Sequence, residues 1–334
     1  MGPLPDLTAE LTHVLVAQTQ PTKTDRPILA YVMALEDLTD DENLLIFYSL
    51  RDPCEPCISL AFASMNKGVW KTTKVQRQQL KDENEHVAKL ARKLGGEGGD
   101  IFGVKGVRYR GPDSWVNKLL RKARYVNTPR GDITCSDMAL LGRLGSFLPE
   151  LERLTLQIPS FVTTQPMQLF AENLRVGALL TLTSLRITYT HMGDVGASAL
   201  AAAVSRGALP RLKCLKLQNV GIGDLGFKAL VPALQQIHEL MALGLKGNRL
   251  GDEGVTALVA PGRALKCLKI LDVDHTNIRD IGCKTLATGI INGTLPALRM
   301  IRVSCGYRTL LSAWLTYGAK THYMASTMQG WIEF

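Results

Sequence analysis

The chain lacks a long apolar segment: its 334 residues contain no uninterrupted apolar run of about 18 residues, the length that a membrane-spanning helix needs. It also begins without the basic stretch and apolar core of a secretory signal. Asp6 stands where the myristoylation pattern requires Ser or Thr. These absences predict a cytoplasmic protein with no membrane span, although they do not exclude the nucleus.

Sets of catalytic and metal-binding residues are also missing from the sequence. The glycines within 95–99 are not followed by the Gly-Lys-Ser/Thr of a phosphate-binding loop, and no Ser/His/Asp set or His-Glu-x-x-His motif occurs. The six histidines are dispersed along the chain. We therefore predict a protein that is not an enzyme and that needs neither a metal nor another cofactor.

The cysteines lack the even count and regular spacing of a disulfide framework. Scattered cysteines of odd number are typical of reduced, mostly buried thiols, which indicate a reducing compartment. The seven are Cys54, Cys57, Cys135, Cys214, Cys267, Cys283 and Cys305.

Positive charge is present in excess, but it is distributed unevenly. Residues 1–65 carry a net charge of −7, residues 66–147 of +9 and residues 148–334 of +7. Either the first two segments pair with each other, or the protein offers a basic surface to an acidic partner.

A four-residue block recurs at nearly constant spacing in the second half of the chain. It begins at Gly193, Gly223, Gly251 and Arg279, at steps of 30, 28 and 28 residues, and reads Gly-Asp-x-Gly or Arg-Asp-x-Gly. Each block leads into a segment of high helix propensity, which its Asp can cap. Four blocks in register predict an internal structural repeat.

An apolar pattern, L-x-x-L-x-L, precedes each block and extends the series in both directions, with a degenerate seventh unit near Leu120. Its x-L-x-L part has the period of a strand whose alternate residues point inward. One strand–helix unit cannot bury its own apolar faces, so we expect the units to stack. The central residues of the pattern are Leu154, Leu185, Leu215, Leu243, Leu271 and Ile301.

Over roughly residues 120–306 this pattern resembles the ribonuclease-inhibitor-like class of leucine-rich repeats. The resemblance implies an α/β solenoid, with parallel strands inside and helices outside, whose concave sheet face binds another macromolecule. It also implies an Asn or Cys in the turn after each strand, where Asn248 fits and Thr190 or Thr276 could substitute. We expect a smaller α/β region at 1–119, six to seven repeats at 120–306 and a C-terminal cap at 307–334.

The strand positions that alternate with the inward leucines form the candidate binding surface. Their charge is basic on several successive repeats and then reverses at two aspartates. We predict that this surface docks a protein with an acidic patch, as an adaptor or scaffold subunit would. Alternatively, these are ordinary solvated strand residues. The assigned residues are Arg153, Arg186, Thr188, Lys216, Gln218, Lys246, Asp272, Asp274 and Arg302.

One chemically suggestive motif, Cys54-Glu-Pro-Cys57, lies in the N-terminal region. Residues 44–50 are predicted to form a buried strand before it and residues 58–65 a helix after it, which is the order of a thioredoxin-type redox site. However, no Trp precedes Cys54, and no later strand offers that family's cis-proline. Redox activity of these two thiols is therefore an alternative to a structural role.

The segment 67–124 is basic, with 15 Lys or Arg against six Asp or Glu, and it contains interleaved aromatic residues. Such a composition can bind RNA through phosphate contacts and stacking. A solvated basic face that pairs with the acidic residues 36–42 accounts for the same composition, and we favour it. RNA binding is thus the second alternative to protein binding.

Overall fold

A computed structural model of the chain describes residues 57–64, 67–94, 120–128, 133–157, 163–260, 262, 265–303 and 331–333, together with Thr39, Leu44 and Phe47. The chain divides into two compact units. One comprises Met1–Ala91 and Arg110–Arg121, and the other comprises Arg92–Tyr109 and Lys122–Phe334.

The first unit contains helices and no strand among its described residues. Helix α1 spans Cys57–Ser64, α2 spans Lys67–Thr72, and α3 spans Lys74–Leu94, whose last residues belong to the second unit. The strand predicted at 44–50 is wrong at Leu44 and Phe47, which are helical. Phe47 is fully buried. A short apolar run suits a buried helix as well as a buried strand, because its periodicity does not separate the two.

The second unit is built on one sheet whose described strands follow the order of the chain. Seven of them pair in parallel, as a stack of equivalent repeats requires, and the degenerate unit near Leu120 contributes the first. The parallel strands are β1 Tyr125–Asn127, β2 Arg153–Leu156, β3 Ser184–Thr188, β4 Cys214–Gln218, β5 Ala242–Gly244, β6 Ile270–Asp272 and β7 Met300–Arg302. Strand β8, Trp331–Glu333, pairs antiparallel with β7.

A helix lies between each pair of successive parallel strands. These helices are α4 Cys135–Leu144, α5 Gln165–Asn173, α6 Gly193–Ser205, α7 Asp224–Leu234, α8 Asp252–Leu258 and α9 Asp280–Ile291. The central apolar residues of the repeat are in register across β2–β7, and each has an exposed fraction of 1% or less. Parallel strands with intervening helices confirm the predicted α/β repeat array.

The aspartates of the first three four-residue blocks, which we term tetrads, bind the next repeat rather than their own helix. Asp224 Oδ1 accepts hydrogen bonds from the backbone N–H groups of Gly251, at 2.7 Å, and Gly254, at 2.9 Å. Asp252 Oδ1 likewise accepts from the N–H groups of Arg279 and Gly282, and Asp194 Oδ1 accepts from that of Gly223. The first N–H groups of a helix have no intrahelical partner, and a carboxylate suits the positive end of the helix dipole. The tetrads therefore link the repeats in series.

The turns after β3, β4, β5 and β6 share a backbone feature. One residue in each is left-handed, with φ between 53° and 71°: Tyr189, Asn219, Gly247 and His275. In the turn after β5, Gly247 is followed by Asn248, which is buried. Its Oδ1 accepts from the N–H groups of Val220 and Ile222, and its Nδ2 donates to the carbonyls of Leu217 and Leu245.

Thr190 and Thr276, at the positions equivalent to Asn248, differ in their hydrogen bonds. Thr276 Oγ1 donates to the carbonyl of Val273 at 2.7 Å. The Thr190 hydroxyl is buried and has no hydrogen-bond partner among the described residues. A threonine hydroxyl thus reproduces at most one of the four bonds that the Asn248 amide makes.

Candidate partner-binding surface

The outward sheet face consists of the strand residues that alternate with the buried leucines. Because partners on neighbouring strands lie about 4.8 Å apart, the register brings residues from distant parts of the sequence side by side. One row across β1–β7 reads Asn127, Thr155, Arg186, Lys216, Gly244, Asp272 and Arg302. The row beside it reads Tyr125, Arg153, Ser184, Cys214, Ala242, Ile270 and Met300.

Three cations on β2, β3 and β4 form what we term the open basic patch: Arg153, Arg186 and Lys216. The two arginines are exposed and the lysine is half-buried. None of the three forms an ion pair with any described residue. The Arg153 guanidinium lies over the Tyr125 ring, 5.1 Å from its centroid, which leaves the positive charge uncompensated.

Cations next to the open basic patch are already paired. Arg124 Nε donates to Glu152 Oε1 at 2.9 Å, and the hydrogen bond to this carboxylate raises the pKa of Arg124. Lys213 lies 3.3 Å from a carboxylate oxygen of Glu239. These two neighbouring cations are thus compensated, whereas the three cations of the patch are not.

The other end of the outward face carries an internally paired group, which we term the Asp274 cluster: Lys246, Asp272, Asp274, His275 and Arg302. Asp274 Oδ2 lies 3.0 Å from Lys246 Nζ and 3.1 Å from Arg302 Nε, and its Oδ1 lies 2.9 Å from His275 Nδ1. The Asp274 side chain is only 5% exposed. Asp272 Oδ1 accepts from the Asp274 backbone N–H at 3.1 Å. Two carboxylates here face two permanent cations.

The nine residues that the sequence assigns to a binding surface thus occupy outward positions with very different environments. Arg153, Arg186 and Lys216 are accessible and uncompensated, and Gln218 is half-buried beside them. Thr188 lies in the outward register opposite Gln218 but is buried. Asp272 and Asp274 are also buried, and Lys246 and Arg302 are held by Asp274.

Sequence reasoning found the reversal of charge along this face but missed its consequence, the pairing across repeats. A signal for it exists, because Lys246 and Asp274 occupy equivalent positions 28 residues apart in successive repeats. Tyr125, which stacks with Arg153, was not assigned to this surface but counted among the aromatic residues of the RNA-binding alternative. Its repeat is degenerate, so its strand had no defined register in the sequence.

The candidate redox motif is described only in part. Cys54 lies outside the described residues, and Cys57 is the first residue of α1, so a helix does follow the motif. The helical residues Leu44 and Phe47 contradict the preceding strand that a thioredoxin-type order requires. Within the described ranges, no group of three or more His, Cys, Asp or Glu could hold a metal ion.

The candidate RNA-binding segment is basic where it is described, and one of its aromatic rings is already covered. Arg77 Cζ lies 3.3 Å from the centroid of the Trp70 ring, and its Nη2 donates to the Trp70 carbonyl at 2.6 Å. Burial lowers the pKa of Arg77. Because one face of the Trp70 ring is covered by this guanidinium, that face cannot stack on a base. The exposed charged residues of α3 are four cations and two anions: Lys74, Lys81, Lys89, Arg92, Asp82 and Glu85.

A family model described as Leucine Rich repeat matches residues 178–201, 238–259 and 264–287. The matches fall on the repeats that contribute α6, α8 and α9. The chain therefore contains leucine-rich repeats, which in general mediate protein–protein interactions and are typically not enzymes. None of the described helices is both long and apolar enough to span a membrane.

No curated protein sequence matches this chain significantly. Among solved structures, an internalin from Listeria monocytogenes is similar, with 18% sequence identity and a TM-score of 0.30. The similarity covers 60% of this chain and 61% of the internalin chain, so the chain spans less than two thirds of that protein. The assignment of the repeats rests on the family model and on the strand register instead.

Proposed function

We propose that this protein is a non-enzymatic adaptor or scaffold subunit that binds a protein partner on the outward sheet face. An acidic segment of the partner docks on the open basic patch. The observation that carries the proposal is the patch itself: Arg153, Arg186 and Lys216 stand on three consecutive strands, accessible and without an acidic partner among the described residues. Electrostatic complementarity of this kind provides specificity and fast association.

The strand register supports the proposal, because it fixes the spacing of the three cations before any partner arrives. Their backbones belong to a hydrogen-bonded sheet with a buried apolar face, so binding orders little more than the side chains themselves. Preorganisation of this kind lowers the entropic cost of association. Concave sheet faces of solenoid repeats are extended binding surfaces in general, and we assign the outward face to that role.

We also propose a class for the repeats and a cellular compartment for the protein. The repeats belong to the ribonuclease-inhibitor-like class, an assignment supported by the full helices of 13, 11 and 12 residues in α6, α7 and α9. The protein acts in the cytoplasm, which the free thiols of three described cysteines support, since reduced thiols persist in a reducing compartment. They are Cys135, Cys214 and Cys267.

The proposal is tested by quantitative affinity purification with the full-length protein as bait. A double charge reversal, Arg186→Glu with Lys216→Glu, replaces two cations of the patch by anions. Recovery of the true partner should fall by about tenfold, since each accessible charge pair contributes up to about 1 kcal/mol and about 1.4 kcal/mol corresponds to a factor of ten.

A matched control separates the patch from net charge. Lys266→Glu with Lys284→Glu changes the net charge by the same amount at exposed positions away from the strands, and it should leave recovery unchanged. If both double variants recover the same proteins in the same amounts as the unmodified bait, the outward face is not the binding surface.

A further inference from the structure

We infer that Asp274 is a specificity-determining residue, which limits the acid-binding part of the outward face to strands β2–β4. It does so by holding Lys246 and Arg302, which would otherwise extend the basic surface towards β7. The inference rests on the proposed function, because it concerns which acidic partner the same face accepts.

One carboxylate oxygen holds the two cations of the Asp274 cluster together. A single carboxylate oxygen, Asp274 Oδ2, lies within 3.1 Å of both the Lys246 ammonium and the Arg302 guanidinium. The two cations come from the repeats on either side of β6, so the carboxylate lies between them. Because the Asp274 side chain is only 5% exposed, these ion pairs are weakly screened by salt.

The negative and positive charges of the Asp274 cluster balance each other. Within the Asp274 cluster two carboxylates oppose the two permanent cations, so this end of the face offers no net attraction to an anion. An acidic ligand would have to displace Asp274 from either cation, and that would leave the buried Asp274 carboxylate without one of its two counterions. The open basic patch has no such internal competitor among the described residues.

The dimensions of the open basic patch define the partner segment that fits it. The patch spans three strands at about 4.8 Å spacing, or roughly 10 Å in all, and an extended chain advances about 3.3 Å per residue. The ligand that fits is a protein segment with about three or four consecutive acidic residues, flanked by residues without negative charge. A nucleic acid fits less well, since its phosphates continue with uniform charge over the neutralised end of the face.

Fluorescence anisotropy with a labelled hexaglutamate peptide tests the inference on the full-length protein. Asp274→Asn removes the charge while keeping a side chain of the same shape, and it should tighten peptide binding by about fivefold, because two cations become available. Glu172→Gln makes the same change in net charge on the exposed surface of α5, and it should alter the affinity by less than about twofold.

A second pair of variants does not depend on the folding of Asp274→Asn. Lys216→Gln removes a cation of the open basic patch and should weaken peptide binding by about threefold. Lys246→Gln, on the adjacent repeat, removes a cation that is already held and should change binding by less than about twofold. Equal weakening by the two lysine variants, or no tightening in a folded Asp274→Asn protein, would overturn the inference.

The outcomes also separate the inference from the proposed function. If Lys216→Gln weakens binding but Asp274→Asn leaves it unchanged, the surface is correct and the role of Asp274 is wrong. If Lys216→Gln has no effect, the proposed surface itself is wrong. Tighter binding of an oligouridylate with the same number of charges, compared with the peptide, would overturn the choice of a protein partner.

Discussion

At the scale of the residue, single carboxylates hold neighbouring repeats together. Asp224 is the clearest case, because one oxygen accepts two backbone N–H groups of the following repeat. Both donors belong to the start of α8, where the helix itself offers them no partner. The strength of this link can be measured by removing the carboxylate.

Replacing Asp224 by Ala should lower the free energy of unfolding by about 2–4 kcal/mol, because two charge-assisted hydrogen bonds are lost and their donors stay partly buried. Asp194→Ala is the matched variant, since Asp194 shows one such bond, to Gly223, and should cost about half as much. Urea denaturation followed by circular dichroism measures both. Equal losses in the two variants would contradict this account of the tetrad.

The last glycine of the third tetrad is a second test at this scale. A Cβ built at Gly254 would lie 2.2 Å from Leu250 Cδ1 and 2.6 Å from Asp224 Oδ1. We expect Gly254→Ala to lower the midpoint of thermal unfolding, at a cost of about 1–3 kcal/mol from steric overlap. At Gly223 the nearest atoms are 3.4 Å from the corresponding Cβ, so Gly223→Ala should be neutral or slightly stabilising. A reversed order of the two midpoints would refute the steric argument.

The contacts between repeats were predictable from the sequence to different degrees at different residues. The repeat of Asp and Gly in the tetrads is visible in the sequence, and it predicted a helix start at each block correctly. What the sequence did not show is that Asp224 binds the next helix, because that depends on how repeats are offset in space. The pairing of Asp274 with Arg302 could not be seen in the sequence for the same reason, since 28 residues separate the two.

At the scale of the element, the turns that leave the parallel strands depend on a buried amide. Asn248 satisfies two N–H groups of the preceding repeat and two carbonyls, and it is 4% exposed. Asn248→Ala should destabilise the protein by about 3 kcal/mol or more, because several buried backbone groups lose their partners together. Thr276→Val removes one hydrogen bond in the next turn and should cost about 1 kcal/mol.

Chemical denaturation with tryptophan fluorescence as the probe compares these two variants with the unmodified protein. A loss for Asn248→Ala no greater than that for Thr276→Val would show that the turn does not depend on the amide. Hydrogen exchange provides a local measurement, because the amides of Val220 and Ile222 should lose protection in Asn248→Ala.

Elements were predicted well where a repeated pattern fixed both their type and their phase. The strands β2–β7 follow from alternation around leucines that recur at steps of about 30 residues. Residues 44–50 lacked such a repeat, and the apolar run alone could not distinguish a strand from the helix found at Phe47. The pairing of β8 with β7 was missed because its three residues have no counterpart in the repeats.

At the scale of the whole molecule, a stack of parallel strands leaves an edge strand at each end. An uncovered edge strand presents a row of unpaired N–H and C=O groups, which favours pairing with another chain. Here β8 pairs with β7 in the register Ile301 to Ile332, and its direction is opposite to that of every repeat strand described. This antiparallel pairing interrupts the series of parallel strands and covers the edge of β7.

Removing β8 should therefore expose β7 and promote self-association. A variant that ends at Gly330 lacks all three paired residues, whereas one that ends at Glu333 keeps them and serves as the control. We expect the shorter variant to unfold at a lower temperature and to form dimers or larger species as its concentration rises, because the uncovered edge of β7 can pair with another chain. Sedimentation velocity at several concentrations measures this directly. A shorter variant that stays monomeric and unfolds at the same temperature as the control would show that β7 does not depend on β8 for protection.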